Sequence, residues 1–184
     1  MSDLDRLLTL LATRSARRGQ FTLASGAQSN LYIDARVTTM SPDGLALIGP
    51  LALQTIQQHG WAPDSVGGLT LGADPIAYAI AYASAVAGNP IRAFTVRKEA
   101  KAHGTGRRIE GPFTDGDRVV IIEDVITTGG SALKAIEALT AANATIVGVL
   151  ALVDREEGGG DAIEGAGYPV VALATASQIV SRMA

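Results

Sequence analysis

The sequence has no cysteine and no hydrophobic run long enough to cross a membrane. Without cysteine the chain cannot form disulfides, bind zinc through thiolates or use a thiol as a nucleophile. The N-terminal segment carries Asp3 and Asp5, where a secretory signal carries basic residues. The lack of a membrane-length run and the acidic N-terminus predict a cytoplasmic protein that does not associate with membranes, whereas the absence of cysteine by itself says little about compartment.

Basic residues are not in excess either, because 15 lysines and arginines face 18 aspartates and glutamates, a formal net charge of −3. This balance argues against a general nucleic-acid-binding protein, which carries a basic surface. The chain has 184 residues, 47% of them hydrophobic, enough for one domain with a sizeable core but not comfortably for two. We therefore expect a single domain over residues 1–184.

The most informative stretch covers residues 118–142. Residues 119–122 are Val-Val-Ile-Ile, a β-branched run typical of a strand buried on both faces of a parallel sheet. Apolar residues at helical spacing follow between 132 and 139, with Ser131 as the expected N-cap. A short Thr-Thr-Gly-Gly turn joins the two. The pattern predicts a buried strand, a glycine turn and a helix N-terminus in direct succession.

This succession is typical of a phosphate site. Backbone N–H groups of a glycine turn and of a helix's first turn point to the same place, where the helix dipole adds positive potential. Glu123 and Asp124 directly precede the turn and would repel a phosphate unless they bind something else. Sugar hydroxyls or a phosphate-bound Mg²⁺ would both suit them. The alternative is an ordinary strand-to-helix connection. It is disfavoured because so many suitable residues follow one another directly.

Two common nucleotide motifs are absent from the sequence. It contains no G-x-x-x-x-G-K-[ST], and no G-x-G-x-x-G opens a helix after a strand. Instead, residues 121–131, Ile-Ile-Glu-Asp-Val-Ile-Thr-Thr-Gly-Gly-Ser, resemble the phosphoribosyl-diphosphate motif of type I phosphoribosyltransferases, and the form found in orotate phosphoribosyltransferases in particular. The resemblance implies that the acidic pair holds the ribose hydroxyls and the following turn holds the 5′-phosphate.

The implied reaction belongs to pyrimidine biosynthesis. Phosphoribose passes from 5-phosphoribosyl 1-diphosphate to N1 of orotate, with Mg²⁺ as cofactor, and orotidine 5′-phosphate and diphosphate are released. The implied assembly is a homodimer in which each subunit lends part of the other's site. Two rivals remain open: a regulator that keeps the fold as a ligand sensor, and a transferase for another nucleobase.

A second strand–turn–helix unit lies earlier in the chain. A strand is expected at residues 66–70, followed by a turn over 71–74 and a helix that begins at Asp74-Pro75. Gly67-Gly68 together with Gly72-Ala73-Asp74-Pro75 resembles the family's diphosphate loop, which makes Leu71 and Gly72 expected diphosphate contacts. Some members carry lysine where this chain has Gly72 and Ala24, so backbone amides are expected to carry more of the diphosphate contact here.

The segment over residues 97–111 is basic and rich in glycine. Five lysines and arginines face two glutamates between positions 97 and 110, a local charge of +3. A solvated loop is the simple interpretation, but a phosphate site elsewhere favours a mobile lid that brings cations onto a polyanionic substrate. Its Arg-Lys-Glu-x-Lys-x-His-Gly pattern resembles the catalytic loop of the orotate branch, which makes Lys101 the expected principal catalytic cation.

Arg155 follows a strand expected at residues 145–153. An arginine at the carboxyl end of a parallel strand lies where open α/β sheets bind ligands, and its planar fork suits a carboxylate or a pyrimidine carbonyl. A salt bridge to Glu156 or Glu157 is the competing interpretation. The resemblance favours orotate recognition. It also places the segment containing Phe21 and Ser29 over the pyrimidine and raises the expected role of Tyr32, which otherwise suits packing.

The complete set of expected site residues follows from the resemblance. The expected catalytic residues are Lys101, His103 and Asp124. The expected phosphoribosyl-diphosphate contacts are Leu71, Gly72, Arg97, Lys98, Lys101, His103, Glu123, Asp124, Val125, Ile126, Thr127, Thr128, Gly129, Gly130 and Ser131. The expected orotate contacts are Tyr32, Ile33, Thr127 and Arg155. No residue is assigned as a ligand of a protein-bound metal.

The remaining pattern completes the predicted fold. A helix is expected from Ser2 up to a basic end containing Arg14, Arg17 and Arg18, then a loop over residues 21–26 and a strand over 31–37. A further helix is expected between Ser41-Pro42 and Gly60, and further strands at 91–96 and 168–173. The sequence thus predicts an α/β fold with a mainly parallel sheet flanked by helices, and a site at the carboxyl ends of the strands.

Overall fold

Two sheets are present in the computed structural model, which describes residues 1–22, 28–99 and 108–183. The strands are β1 (Ala16–Thr22), β2 (Gln28–Ile33), β3 (Ser65–Leu69), β4 (Arg92–Val96), β5 (Ile109–Glu110), β6 (Arg118–Ile126), β7 (Thr145–Asp154) and β8 (Val170–Thr175). The helices are α1 (Asp3–Leu10), α2 (Arg36–Thr39), α3 (Pro42–Gln58), α4 (Ala73–Val86), α5 (Gly130–Thr140), α6 (Gly159–Gly165) and α7 (Ala176–Val180). A single π-helical turn, Leu11–Ser15, follows α1.

The main sheet has the strand order β5-β4-β3-β6-β7-β8. Every neighbouring pair is parallel except β4 and β5. Parallel neighbours need crossover connections, and α4, α5 and α6 supply those between β3 and β4, β6 and β7, and β7 and β8. The predicted α/β fold with a mainly parallel, helix-flanked sheet is therefore confirmed.

Strand β6 lies between β3 and β7, and its residues 119–122 are fully buried. Because side chains alternate across a strand, Val120 and Ile122 pack with α1, α3 and α4, while Val119 and Ile121 pack with α5 and α6. Burial on both faces explains the unbroken β-branched run in the sequence. None of the helices in the described ranges is long and apolar enough to span a membrane.

Asp117, which is 5% exposed, connects the amino ends of three strands through hydrogen bonds. Its carboxylate accepts hydrogen bonds from Ser65 Oγ at 2.9 Å, Arg92 Nη2 at 2.6 Å and the Thr114 backbone N–H at 3.1 Å. A buried carboxylate with this many donors fixes the start of β6 relative to β3 and β4. The carboxyl ends of these strands consequently meet in a defined register.

The N-terminal region differs from the sequence prediction. The α-helix ends at Leu10 and continues as the π-helical turn to Ser15, so Arg14 lies at a helical end as predicted, whereas Arg17 and Arg18 lie on β1, which pairs antiparallel with β2. Phe21, expected in a loop, also lies on β1 and is paired with Ser29. Helical spacing reports only neighbours within one or two turns, whereas this hairpin depends on pairing between residues 6 to 17 positions apart.

The strand expected over residues 31–37 is shorter than predicted. It ends at Ile33, and α2 begins at Arg36. The Asp34 carboxylate accepts a hydrogen bond from the Arg36 backbone N–H at 3.1 Å, a local bond that turns the chain out of extended geometry. A buried hydrogen bond of 2.8 Å between the hydroxyls of Ser15 and Thr38 holds α2 against the π-helical turn.

Candidate active site

A cavity of about 370 Å³ lies at the carboxyl edge of the main sheet. It collects the ends of β2, β3, β6 and β7, so residues far apart in sequence share one wall. The lining consists of Tyr32, Ile33, Asp34, Ala35, Arg36, Leu69, Thr70, Leu71, Gly72, Lys98, Glu123, Asp124, Val125, Thr127, Ser131 and Arg155. Ligands of open α/β sheets bind at this edge, and most of the expected contacts lie in this one cavity.

The turn after β6 forms a smaller pocket beside this cavity. It is lined by Glu123 and by residues 125–132, and so contains Ile126, Thr128, Gly129 and Gly130 from the expected phosphate cradle. Gly129 has a φ of 79°, and a Cβ at this position would lie 2.8 Å from the Gly159 carbonyl oxygen. Only glycine fits this left-handed, closely packed turn.

Ser131 does not cap α5, contrary to the prediction. The N-cap is Gly129, the helix begins at Gly130, and no side chain among the described residues caps it. Glycine can take the left-handed conformation that starts the helix here, whereas a serine cap needs extended backbone. The amides of the first helical turn have no intrahelical partner and no capping oxygen, so they are open to an anion.

The acidic pair lies between the cradle and the larger cavity. Glu123 is 6% exposed, and its pKa is raised from 4.5 to about 8, first by burial and then by the charge of Asp124. Burial likewise raises the pKa of Asp124, although the Val125 backbone N–H donates to its carboxylate at 2.9 Å. The two carboxyl groups therefore favour hydroxyl donors or a positive charge.

Gly72 lies directly against Asp124. A Cβ at this position would lie 2.4 Å from Asp124 Cγ and Oδ2, so a side chain at position 72 would displace the carboxylate. The peptide bond between Thr70 and Leu71 in the same loop is cis. Thr70 Oγ1 and Thr95 Oγ1 donate to the Asp74 carboxylate at 2.7 Å and 2.9 Å, which ties the loop to β4. The close contact between position 72 and the Asp124 carboxylate gives a steric reason for glycine instead of lysine at position 72.

Arg155 is buried at the end of β7, with its side chain 5% exposed. Its Nη2 donates to Glu157 Oε1 at 2.6 Å and to Ser29 Oγ at 3.1 Å, while its buried Nε has no partner among the described residues. The competing interpretation, a salt bridge, is therefore present and involves Glu157. Glu156 instead accepts from the Ser177 backbone N–H. The guanidinium nevertheless lines the cavity, where a second carboxylate can compete for it.

Tyr32 combines packing with exposure to the cavity. Its ring centroid lies 5.3 Å from that of Phe21, and the residue is 39% exposed. The preceding segment, which the resemblance places over the pyrimidine, includes Ala24 and Ser25, and these lie outside the described residues.

The expected lid begins and ends on paired strands. Arg97 Nε is 3.0 Å from Glu110 Oε1, and the Arg97 backbone N–H donates to the Arg108 carbonyl at 2.7 Å. Lys98 lines the cavity. Lys101 and His103 lie outside the described residues.

Sequence reasoning missed two charged residues of the cavity, Asp34 and Arg36. Arg36 Nε and Nη2 donate to the two carboxylate oxygens of Asp34 at 2.8 Å and 3.0 Å. The only signal in the sequence was an acid and a base two residues apart after an apolar run.

Comparison with known proteins identifies the chain's family. A family model described as "Phosphoribosyl transferase domain" matches residues 39–166. The orotate phosphoribosyltransferase of Aquifex aeolicus is 45% identical over 98% of this chain and 99% of its own length. The chain belongs to the orotate phosphoribosyltransferase family. Another such enzyme, from Sorangium cellulosum, is 46% identical over 95% of this chain and 91% of its own length.

A solved orotate phosphoribosyltransferase structure also resembles this chain. The Mycobacterium tuberculosis enzyme in complex with 5-phospho-α-D-ribosyl 1-diphosphate superposes with a TM-score of 0.83 and 38% identity, covering 97% of this chain and 99% of that one. The predicted fold and the predicted resemblance to orotate phosphoribosyltransferases are therefore both confirmed for this chain.

The raised pKa of Glu123 predicts a pH-dependent stability. The free energy of unfolding of a Glu123→Gln variant should equal that of the wild type near pH 4.5 and exceed it at higher pH. In the unfolded wild type the Glu123 carboxyl ionises freely above pH 4.5, whereas in the folded protein it stays protonated up to about pH 8. The wild type consequently loses stability as the pH rises, and the difference should reach on the order of 3–5 kcal/mol near pH 9. Urea unfolding at several pH values measures this difference.

The matched control is Glu137→Gln, which changes an exposed glutamate on α5. It should leave the pH dependence of the unfolding free energy unchanged. A stability difference between wild type and Glu123→Gln that stays constant from acid to alkaline pH would contradict the assignment of a buried, protonated Glu123.

Proposed function

We propose that residues 1–184 form one Mg²⁺-dependent catalytic domain that transfers phosphoribose from phosphoribosyl diphosphate to N1 of orotate. The products are orotidine 5′-phosphate and diphosphate. The observation that supports this most is the shared cavity, which brings the acidic pair, the start of the phosphate cradle, Lys98 and Arg155 to one edge of the sheet. The phosphoribosyl-diphosphate complex of the similar M. tuberculosis enzyme supports the same donor substrate.

The donor is held at three places in this proposal. The 5′-phosphate is bound by the turn at residues 127–131, where the amides of α5 are uncapped. Glu123 and Asp124 accept hydrogen bonds from the ribose hydroxyls. The diphosphate lies against Leu71 and Gly72, whose loop borders Asp124. The order of these elements along the cavity matches the order of the groups in the substrate.

Mg²⁺ fits the acidic pair. Burial raises the pKa of Glu123 and of Asp124, and the charge of Asp124 adds to the effect on Glu123, so a positive charge beside the pair would be favourable. Among the described residues, no group of three or more histidines or acids could hold a metal by itself, so the ion would arrive with the substrate oxygens and face this pair. When bound, Mg²⁺ supplies charge neutralisation for the leaving diphosphate.

The chemistry then needs positioning and electrostatic stabilisation from the chain. The bond between C1 of the ribose and the diphosphate oxygen breaks, and the electron pair leaves with the diphosphate. Arg97, Lys98, Lys101 and His103 of the lid stabilise the negative charge that develops, with Lys101 as the principal cation. N1 of orotate has already lost its proton to solvent and forms the new bond to C1. A closed lid excludes water that would hydrolyse the sugar.

Orotate occupies the side of the cavity formed by Tyr32, Ile33, Thr127 and Arg155. Arg155 pairs with Glu157 at 2.6 Å in the structure, so the orotate carboxylate would take over a contact already made to a carboxylate. This exchange keeps the buried guanidinium paired in both states, which avoids the cost of an uncompensated buried charge.

A homodimer is part of the proposal, supported by an exposed apolar face between α3 and α4. Leu71, Tyr78, Tyr82 and Val86 on this face are between 54% and 75% exposed. They border a groove of about 1190 Å³, far larger than the active-site cavity. An apolar patch of this kind indicates a protein interface. Leu71 lines both the groove and the active site, so a second copy seated in the groove would lie beside the site.

The proposed activity can be tested by mixing the protein with Mg²⁺, phosphoribosyl diphosphate and orotate and following the loss of orotate absorbance. Turnover should require all three and should produce orotidine 5′-phosphate. Parallel reactions with uracil, adenine or hypoxanthine provide the control for base choice. Turnover of one of these bases without turnover of orotate would overturn the proposal.

Arg155→Ala should weaken orotate binding far more than phosphoribosyl-diphosphate binding. Loss of a charged contact to the base should cost about 2–4 kcal/mol. Isothermal titration with each substrate measures the two effects, and Arg182→Ala, which removes an arginine paired with Asp5 away from the cavity, is the control. Equal losses for both substrates would remove Arg155 from the base pocket.

The shared-site dimer can be tested by complementation between two inactive variants, Lys101→Ala and Asp124→Asn. Random exchange of subunits makes about half of the dimers mixed, and each mixed dimer has one site with both wild-type residues if Lys101 acts across the interface. About a quarter of wild-type activity should then return. Verified subunit exchange without recovered activity would show that Lys101 acts within its own subunit.

A further inference from the structure

The diphosphate loop of this protein lacks a cation of its own. Position 72 is glycine, and a side chain there would collide with the Asp124 carboxylate at 2.4 Å. A diphosphate at this loop would face two nearby carboxyl groups, those of Glu123 and Asp124. A fixed cation in the cavity wall would therefore add to the charge neutralisation that Mg²⁺ and the lid supply in the proposed function.

Three described cations line the cavity: Arg36, Lys98 and Arg155. Arg155 is buried against Glu157 and lies on the proposed orotate side. Lys98 stands at the start of the proposed lid. Arg36 is different, because it belongs to the first turn of α2 and is therefore part of the fixed wall.

Arg36 lies close enough to Asp124 for their charges to interact. Both residues line the same cavity as Leu71 and Gly72. Burial raises the pKa of Asp124, and the positive charge of Arg36 partly opposes this effect; the pKa of Arg36 is raised mainly by its hydrogen bonds to Asp34, with a smaller contribution from the charge of Asp124. The guanidinium therefore acts in the cavity that the diphosphate loop and the acidic pair share.

The guanidinium is also held in position. Asp34 receives two hydrogen bonds from it, at 2.8 Å from Nε and 3.0 Å from Nη2, while Nη1 has no hydrogen-bond partner among the described residues. The Arg36 side chain is 48% exposed, against 27% for Asp34. The Asp34 backbone N–H donates to the Ser15 carbonyl at 2.9 Å, which fixes the base of the pair. Arg36 is thus an oriented cation on the cavity wall, with Nη1 unpaired within the described ranges.

We propose that Arg36 binds the diphosphate group of phosphoribosyl diphosphate and supplies the positive charge that a lysine at position 72 would otherwise bring. The inference rests on the proposed function and adds a residue to its donor site. Asp34 positions Arg36 through the two-bond fork, which leaves Nη1 to donate to a diphosphate oxygen. Tyr32 and Ile33, which are proposed orotate contacts, lie in the same segment as Arg36. The test must therefore distinguish binding of the diphosphate by Arg36 from binding of the orotate carboxylate by Arg36.

The test uses two variants of the full chain, Arg36→Gln and Arg36→Lys, with inorganic pyrophosphate plus Mg²⁺ as the probe. Arg36→Gln should weaken the binding of pyrophosphate and of phosphoribosyl diphosphate about tenfold or more, since a charge-assisted contact is lost. Orotate binding should change less than about twofold, because the base lies elsewhere in the cavity. Arg36→Lys should recover part of the pyrophosphate affinity, because it keeps the charge without the fork.

The matched control is Arg6→Gln, which breaks an exposed arginine–aspartate pair on α1, outside the cavity. It should leave all three affinities unchanged. Equal pyrophosphate binding by wild type and Arg36→Gln would overturn the inference, as would a loss confined to orotate. A wild-type protein that binds neither phosphoribosyl diphosphate nor orotate would instead overturn the proposed function. Circular dichroism and melting temperature verify that each variant is folded. If Arg36→Gln does not fold, the comparison of Arg36→Lys with the wild type still tests the inference.

Discussion

The burial of two adjacent carboxyl groups at the end of β6 is the constraint on which the site depends. The same strand that builds the core with residues 119–122 carries Glu123 and Asp124 directly into a poorly solvated position. Burial raises the pKa of both groups, and the charge of Asp124 adds to the effect on Glu123. Hydroxyl donors or nearby positive charge would offset this cost, and the proposed donor substrate with Mg²⁺ would bring both. The protein thus keeps a locally unfavourable feature at the proposed substrate site.

Close approach of backbone to the acidic pair has a second consequence. Gly72 allows the diphosphate loop to contact Asp124, but the same contact leaves no room for a cationic side chain in the loop. In the proposed function, positive charge would come instead from neighbouring elements, namely the lid between β4 and β5 and Arg36 on α2. Because glycine at position 72 suits the close approach to Asp124, residues far away in the sequence would have to provide the positive charge.

The pairing of Arg155 with Glu157 stabilises a buried cation at the proposed orotate site. A buried guanidinium without a carboxylate would be costly, and Glu157 satisfies it at 2.6 Å. The Glu157 side chain is 35% exposed, so in the proposed function it could be solvated when the orotate carboxylate takes its place. The exposed apolar side chains between α3 and α4 are the basis of the proposed dimer.

The sequence by itself determined the parts whose geometry is contained in a short segment: the buried strand at residues 119–122, the glycine turn after it, the diphosphate turn and the place of Arg155 at a strand end. In these, residue type and spacing are sufficient to indicate the local conformation, although the packing partners are distant. Only the tertiary structure decided that Gly129 and not Ser131 is the N-cap of α5, that residues 16–22 join a hairpin, and that Glu157 and not Glu156 pairs with Arg155. It also placed Asp34 and Arg36 in the same cavity as Asp124. These outcomes depend on which distant segments pack together, and the energies that select them act between residues that no local pattern relates.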